Sequence, residues 1–250
     1  MKWLDRGIVL SARRHGESSW ILSLLTHDHG RHAGLVRISK KDQVLLQLGN
    51  LVQASWSARL PEHLGTWQLE LISSPLARIL SDPLKLTALT SVMHLLDQVL
   101  AERHVYPTIY QSLDLFIQSL ICETHADIQY QTRWLKLYVR FELMLLEQLG
   151  YGLDLTTCAA TGQQENLAFV SPKSGRAVSY EAGLPYEERL FRLPPFLIQD
   201  DDDALRDSLV DLADLKDCLK MTGYFMSANL FSEGSKAGLP ESRLRLCAAL

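Results

Sequence analysis

The sequence predicts an α+β protein in which a strand-rich head, residues 1–80, precedes a mainly helical body, residues 81–250, with a small hairpin module inserted at about 151–185. Two observations carry that reading. Apolar residues alternate with a period of two through the head and recur at helical spacing after Ser81-Asp82-Pro83. Charge changes sign at the same place: the head has 10 Lys+Arg against 6 Asp+Glu, net +4, and the body 15 against 23, net −8. The whole-chain charge of −4 therefore conceals a basic region, and local sign decides what a surface attracts.

The head reads as five strands. Gly7 to Leu10 and Trp20 to Thr26 are aliphatic and β-branched runs broken at Arg13-Arg14-His15-Gly16 and at Asp28-His29-Gly30. Arg31 to Ile38 is the third, with Gly34 placed where a small barrel needs a bend or bulge. Gly49 to Arg59 alternates, Val52, Ala54, Trp56 and Ala58 sharing one face. Thr66 to Ile72 is the fifth, with Trp67, Leu69 and Leu71 on one side. Five short strands in this length suit a closed OB-fold barrel, because closure removes the edges that an open sheet would expose.

In the body, Asp82 is positioned to cap a helix starting at Pro83, with Leu86, Leu89, Val92, Met93, Leu96 and Leu100 on its inner face. A second helix starts at Pro107, and a third spans about Asp127 to Leu149, so widely apolar that it must be central, until Gly150 stops it. Two short strands, Leu167 to Val170 and Arg176 to Ser179, form the hairpin module. Helices are expected again at about Asp203 to Met221, Gly223 to Phe231 and Pro240 to Ala249.

Composition bounds the function. With 47% hydrophobic and 22% charged residues, the 250-residue chain is globular, and it has neither an apolar leader nor an apolar run of bilayer length, so a cytoplasmic protein without membrane contact is expected. Cys122, Cys158, Cys218 and Cys247 are far apart, which suits reduced thiols. No phosphate loop, dinucleotide fingerprint, nucleophile elbow or H-E-x-x-H stands in the sequence, so a non-enzyme is expected. His27, His29 and His32 surround a turn without a second ligand group, and Asp200 to Asp203 lacks the alternation of a calcium loop. We expect turn histidines and a solvated loop, and no metal or other cofactor.

Two cationic sets stand out. Arg13, Arg14, Arg31, Arg37, Lys40, Lys41 and Arg59 offer either a phosphate-tracking groove, with Trp20, Trp56 or Trp67 as stacking platforms, or a solvated basic face over core tryptophans. At least two of the three Trp are expected in the core. On the third helix, Arg133, Lys136 and Arg140 fall at i, i+3 and i+7; beside an apolar groove they would grip an acidic peptide, and otherwise they form a solvated stripe.

Over nearly its full length the chain resembles the bacterial recombination mediators of the RecO family. The resemblance is carried by Gly7-Ile8-Val9-Leu10 with Gly16-Glu17, Leu25-Thr26 through His29-Gly30-Arg31, Ala58-Arg59-Leu60 through Leu64-Gly65, and Phe141-Glu142-Leu143. Leu149-Gly150-Tyr151-Gly152-Leu153-Asp154-Leu155, Cys158-Ala159-Ala160-Thr161-Gly162, Ser171-Pro172-Lys173-Ser174-Gly175 and Leu239-Pro240-Glu241-Ser242-Arg243 complete it. It implies binding of single- and double-stranded DNA, strand annealing, and cooperation with RecR in placing RecA on DNA coated by the single-stranded DNA-binding protein. It also implies docking of that protein's acidic C-terminal tail on the helical body, for which we take Ile109, Leu113, Phe116, Ile117, Arg133, Lys136 and Arg140 as the candidate residues.

Members with zinc hold it in the hairpin module with two cysteine pairs. Here Cys158 is alone, Thr161 stands at its usual partner position, and a zinc-finger-like hairpin without metal ligands, packed by Phe169 and Val178, is expected. The basic, glycine-containing loop of many members reads Ile38-Ser39-Lys40-Lys41-Asp42 here, which predicts fewer phosphate contacts. The alternatives from other classes are a helical adaptor whose head binds protein, and a hydrolase built on the His27 to His32 cluster.

Overall fold

The computed structural model describes residues 1–122, 128–198, 211–231 and 238–250. Two compact units divide the chain, one made of Met1–Ile121 with Pro240–Ala249 and the other of Cys122–Leu239 with Leu250.

In the first unit, β1 (Lys2–Arg14), β2 (Ser19–Thr26), β3 (Gly30–Arg37), β4 (Leu51–Ser57) and β5 (Thr66–Ser73) close into a barrel in the order β1-β2-β3-β5-β4. Closure is achieved by a parallel contact of Leu35 with Thr66, and β1 is long enough to pair with β4 through its first half and with β2 through its second. The barrel interior is a cluster of Val9, Leu22, Leu24, Val36, Val52, Ala54, Trp56 and Trp67, the inward-facing set of a period-two pattern. Trp56 and Trp67 are core residues, 1% and 4% exposed.

Gly34 does not make the bulge expected of it, because β2 and β3 pair without a register shift from Ser19↔Arg37 to Thr26↔Gly30. Its role is clearance: a Cβ there would lie 2.5 Å from Nε1 of Trp67, whose indole N–H donates to the carbonyl of Leu22 at 3.2 Å. The segment after β3 is also more regular than a loop, with a 3-10 helix over Lys40–Leu46 that buries Leu46 against the barrel core.

The short α1 (Leu76–Ile79) leads to α2 (Pro83–Val99), whose cap forms as the sequence predicts: the Asp82 carboxylate accepts from the N–H groups of Leu84 and Lys85. α2 packs on β1, where Ile8 and Leu10 are buried outside the barrel interior. The same unit holds α3 (Pro107–Ile121).

In the second unit, α4 (Ile128–Gln148) is buried on nearly every side from Trp134 to Leu146, including Trp134, Leu135, Tyr138, Val139, Phe141, Leu145 and Leu146. It ends where predicted, Gly150 taking φ +88° while Tyr151 N–H reaches the carbonyl of Leu146. The hairpin module contains β6 (Leu167–Val170) and β7 (Ala177–Ser179), with Phe169 opposite Val178, followed by a turn of helix, α5 (Tyr180–Gly183). A third strand, β8 (Phe191–Arg192), pairs with β6; its two residues are too few to show a period in the sequence.

α6 (Leu212–Asn229) runs without interruption through Gly223, where the sequence suggested two helices, because Thr222 and Gly223 are buried and continue the packed face. The expected helix start at Asp127, the part of the next helix before Asp211, and the carboxylate run Asp200 to Asp203 lie outside the described residues. The last helix, α7 (Glu241–Ala249), belongs to the barrel-containing unit and packs against α2, with Ser242 Oγ 3.2 Å from Nδ1 of His94. No described helix is long and apolar enough to cross a membrane.

Candidate nucleic-acid interface

Strand pairing decides which of the basic residues meet. Arg13 pairs with Ile21 and Arg14 with Trp20, while Ser19 pairs with Arg37 and Trp20 with Val36. Arg13 and Arg14 therefore extend a strand, where the sequence suggested a loop. Side chains alternate along it, so that Arg14 follows the inward parity of Ala12 and Trp20 while Arg13 joins Ile21 and Leu35 on the outer face. Arg37 shares that outer parity with Leu35, and Lys40 and Lys41 follow within four residues. All five cations are exposed. Trp20, opposite Arg14, is partly buried against the barrel core and is the one of the three candidate tryptophans with accessible surface of any size, which suits a stacking role. Arg14 also closes its own turn, donating to the carbonyls of Gly16 and Glu17 at 3.3 Å.

Arg31 belongs elsewhere. Its Nε donates to the carbonyl of Leu100 at 2.8 Å and its guanidinium lies 3.5 Å from both Asp97 and Glu102, so it fastens β3 to the end of α2. The backbone repeats the link, with Arg103 N–H bound to the carbonyl of Arg31 at 2.7 Å. Arg59 is exposed in the β4–β5 connection.

Toward the other end of these strands the barrel holds an aromatic group. Trp3 stacks on His29 at 3.9 Å and meets Trp67 edge-on, and His32 sits edge-on to Trp3, Trp56 and Trp67. Among the described residues, both ring nitrogens of His32 are buried without a hydrogen-bond partner of good geometry. Burial, then the charges of Arg103 and His29, brings its pKa down to about 4, so the ring is neutral near pH 7. His32 is therefore a core residue, whereas His27 is exposed and His29 half-buried on the turn.

The peptide candidates separate into two kinds. Ile109, Leu113, Phe116 and Ile117 are buried core residues of α3. On α4, Arg133 and Arg140 are half-buried, Arg140 donating to the carbonyl of Phe196 at 2.9 Å, while Lys136 is only 2% exposed. Burial, then the charge of Arg140, lowers the pKa of Lys136. The stripe is thus not a solvated one. Glu142, one turn on from Tyr138, is also fully buried and accepts the hydroxyl of Thr222, a buried polar pair that the pattern did not reveal.

At the position where zinc-holding hairpins keep cysteines, the residues do not fit the metal. Sγ of Cys158 accepts the N–H of Ser179 at 3.2 Å and lies 3.4 Å from its Oγ. Burial pushes that thiol's pKa up, but hydrogen bonds from Ser179 and Thr161 outweigh it and bring it to about 6. One thiol with hydroxyl neighbours is a poor donor set for a structural zinc, and hydrogen bonds occupy the sulfur instead.

Comparison with known proteins agrees with this architecture. Residues 1–75 match the family model described as recombination protein O N terminal, and residues 80–237 the one described as recombination protein O C terminal. The chain is 44% identical over 246 residues to a DNA repair protein RecO of Brucella abortus (strain 2308), covering 97% of this chain and 93% of that protein. It is 43% identical over 253 residues to the DNA repair protein RecO of Mesorhizobium japonicum, covering 100% and 94%, and 43% identical over 249 residues to that of Rhodospirillum centenum, covering 98% and 93%. With two family models accounting for almost all of an OB-fold head and a helical body, the chain belongs to the RecO family and has a role in DNA repair.

Proposed function

We propose that the protein is a non-enzymatic, cytoplasmic recombination mediator that binds single- and double-stranded DNA and anneals complementary strands. The observation that carries this reading is that Arg13, Arg14 and Arg37 are exposed on paired strands at the end of the β1-β2-β3 sheet that also carries Trp20, with Lys40 and Lys41 exposed just after β3. Cations there neutralise backbone phosphates on two strands and lower their repulsion, so base pairing proceeds without any bond being made or broken. Arg59 is a further phosphate contact in this reading. Arg31 is occupied by Asp97, Glu102 and Leu100 and acts by holding β3 in place.

In the same proposal the protein acts with RecR in placing RecA on DNA coated by the single-stranded DNA-binding protein, whose acidic C-terminal tail docks on the helical body. Support for the tail site is the cationic character of Arg133 and Arg140, since Ile109, Leu113, Phe116 and Ile117 already fill core positions and Lys136 is buried. A salt titration of oligonucleotide binding, joined to an annealing assay, tests the DNA reading. A steep fall of affinity with salt together with accelerated annealing is expected, and no DNA binding in low salt would instead favour a protein-binding adaptor.

A further inference from the structure

The β2–β3 turn and the start of β1 bring together Asp5, His27 and Asp28, which no spacing in the sequence connects. Their ligand-type atoms all lie within 4.8 Å of one another, and among the described residues no other three His, Cys, Asp or Glu do so. Asp5 anchors the group. The residue is 6% exposed; Oδ1 accepts the N–H of Arg6 at 2.7 Å, and Oδ2 accepts that of Asp28 at 2.8 Å and lies 2.9 Å from Nδ1 of His29. A carboxylate oxygen has two lone pairs, so Oδ1 with one donor retains acceptor capacity. His29 is itself held in place by stacking on Trp3, which fixes the other side of the turn.

The remaining two groups are accessible. His27 Nδ1 lies 2.6 Å from Oδ1 of Asp28, and both side chains are more than half exposed, at 54% and 69%. The ring of His27 meets Tyr110 of α3 edge-on at 5.2 Å. Acidic groups outnumber cations around this turn, Asp114, Asp5 and Asp28 all acting on Tyr110 against Arg6.

We infer that Asp5, His27 and Asp28 form an open site for a divalent cation of the zinc type, one imidazole nitrogen and two carboxylate oxygens being completed by water. An imidazole with carboxylates suits zinc, manganese or cobalt better than magnesium or calcium, which prefer all-oxygen shells. The cation takes the lone pair of one ring nitrogen of His27 while the ring N–H proton stays on the other, and the metal's oxidation state is unchanged. The bound cation ties β1 to the β2–β3 turn and stabilises the folded state by mass action. The site shares no residue with the hairpin around Cys158 and is independent of the DNA-binding reading.

The test uses the full chain, stripped with EDTA and titrated with Zn²⁺ against a chromophoric chelator, then with Co²⁺ for its visible spectrum. One equivalent is expected to bind and to raise the thermal midpoint. His27→Ala with Asp28→Asn should weaken Zn²⁺ binding by about tenfold or more and abolish the shift, while Cys158→Ser leaves both unchanged. The substituted side chains are exposed, and an unaltered midpoint in EDTA verifies the fold; His27→Gln alone serves as the milder variant. Absence of Zn²⁺ binding by the unaltered protein, equal affinity in the His27 and Asp28 variants, or loss of binding in Cys158→Ser would each overturn the assignment.

Discussion

At the β1-β2-β3 end of the barrel, Arg13, Arg14, Arg37, Lys40 and Lys41 stand in water, whereas on α4 Lys136 is buried and Arg140 gives its guanidinium to the carbonyl of Phe196. Along the chain the two sets look alike, each a short run of cations beside apolar residues. Their surroundings give them different work: a solvated cation attracts a polyanion and adds little to stability, while a buried one packs its stem and must be satisfied inside the protein. Arg31 shows that the distinction also operates within the barrel, since on one strand and with the same parity Arg31 is tied to the end of α2 while Arg37 is exposed.

The contrast can be broken most sharply at Lys136. Lys136→Ala should cost about 2–4 kcal/mol of stability by removing a buried stem, read from urea unfolding, with oligonucleotide affinity unchanged. Arg13→Ala should be near neutral in the same assay. A comparable cost at both positions would erase the difference between the two regions.

Next in size is the acid response of His32. Its folded pKa, about 4, lies below the ordinary value of 6.5, so the unfolded chain takes up the proton first. Its contribution to stability is complete above about pH 6.5 and is lost progressively as pH falls toward 4. Unfolding measured across that window should lose up to one proton's worth of pH dependence in His32→Leu, and an identical profile would show that the ring is not held neutral.

Charge reversal at the rim should be smaller in energy but specific to DNA. Arg13→Glu with Arg14→Glu should weaken binding to every sequence by roughly tenfold or more at low salt and reduce the salt slope by about two, with the thermal midpoint nearly unchanged. Fluorescence polarisation at several salt concentrations measures both, and unaltered affinity would remove that strand end from the interface. The smallest effect is expected at Arg31, where Arg31→Ala should cost about 1 kcal/mol of stability through the lost bond to Leu100 and leave the salt slope unchanged. A slope reduced by about one would instead place Arg31 among the phosphate contacts.

Much of the fold was legible in the sequence because it rests on local rules. Period-two alternation located Val52, Ala54 and Trp56 inside the barrel, Asp82-Pro83 marked the start of α2, and Gly150 the end of α4. The site was only partly legible. Counting charges identified Arg13, Arg14, Arg37, Lys40 and Lys41 as candidates, but it grouped Arg31 with them because nothing near Arg31 in the chain announces Asp97, Leu100 or Glu102. Gly34 was read as a bend for the same reason, since Trp67 lies 33 positions away.

By itself, then, the sequence determined the succession of strands and helices, the family resemblance and the basic character of the head, all of which depend on neighbours within a few residues or on motif order. Only the tertiary structure decided which ionisable groups face water and which face one another. Pairing of β1 with β2 sets Asp5 beside His27 and Asp28, α2 takes Arg31, and the packing around α4 buries Lys136 and Glu142. Burial and pairing arise from contacts between distant segments, and those contacts fix the electrostatic free energy of each charge.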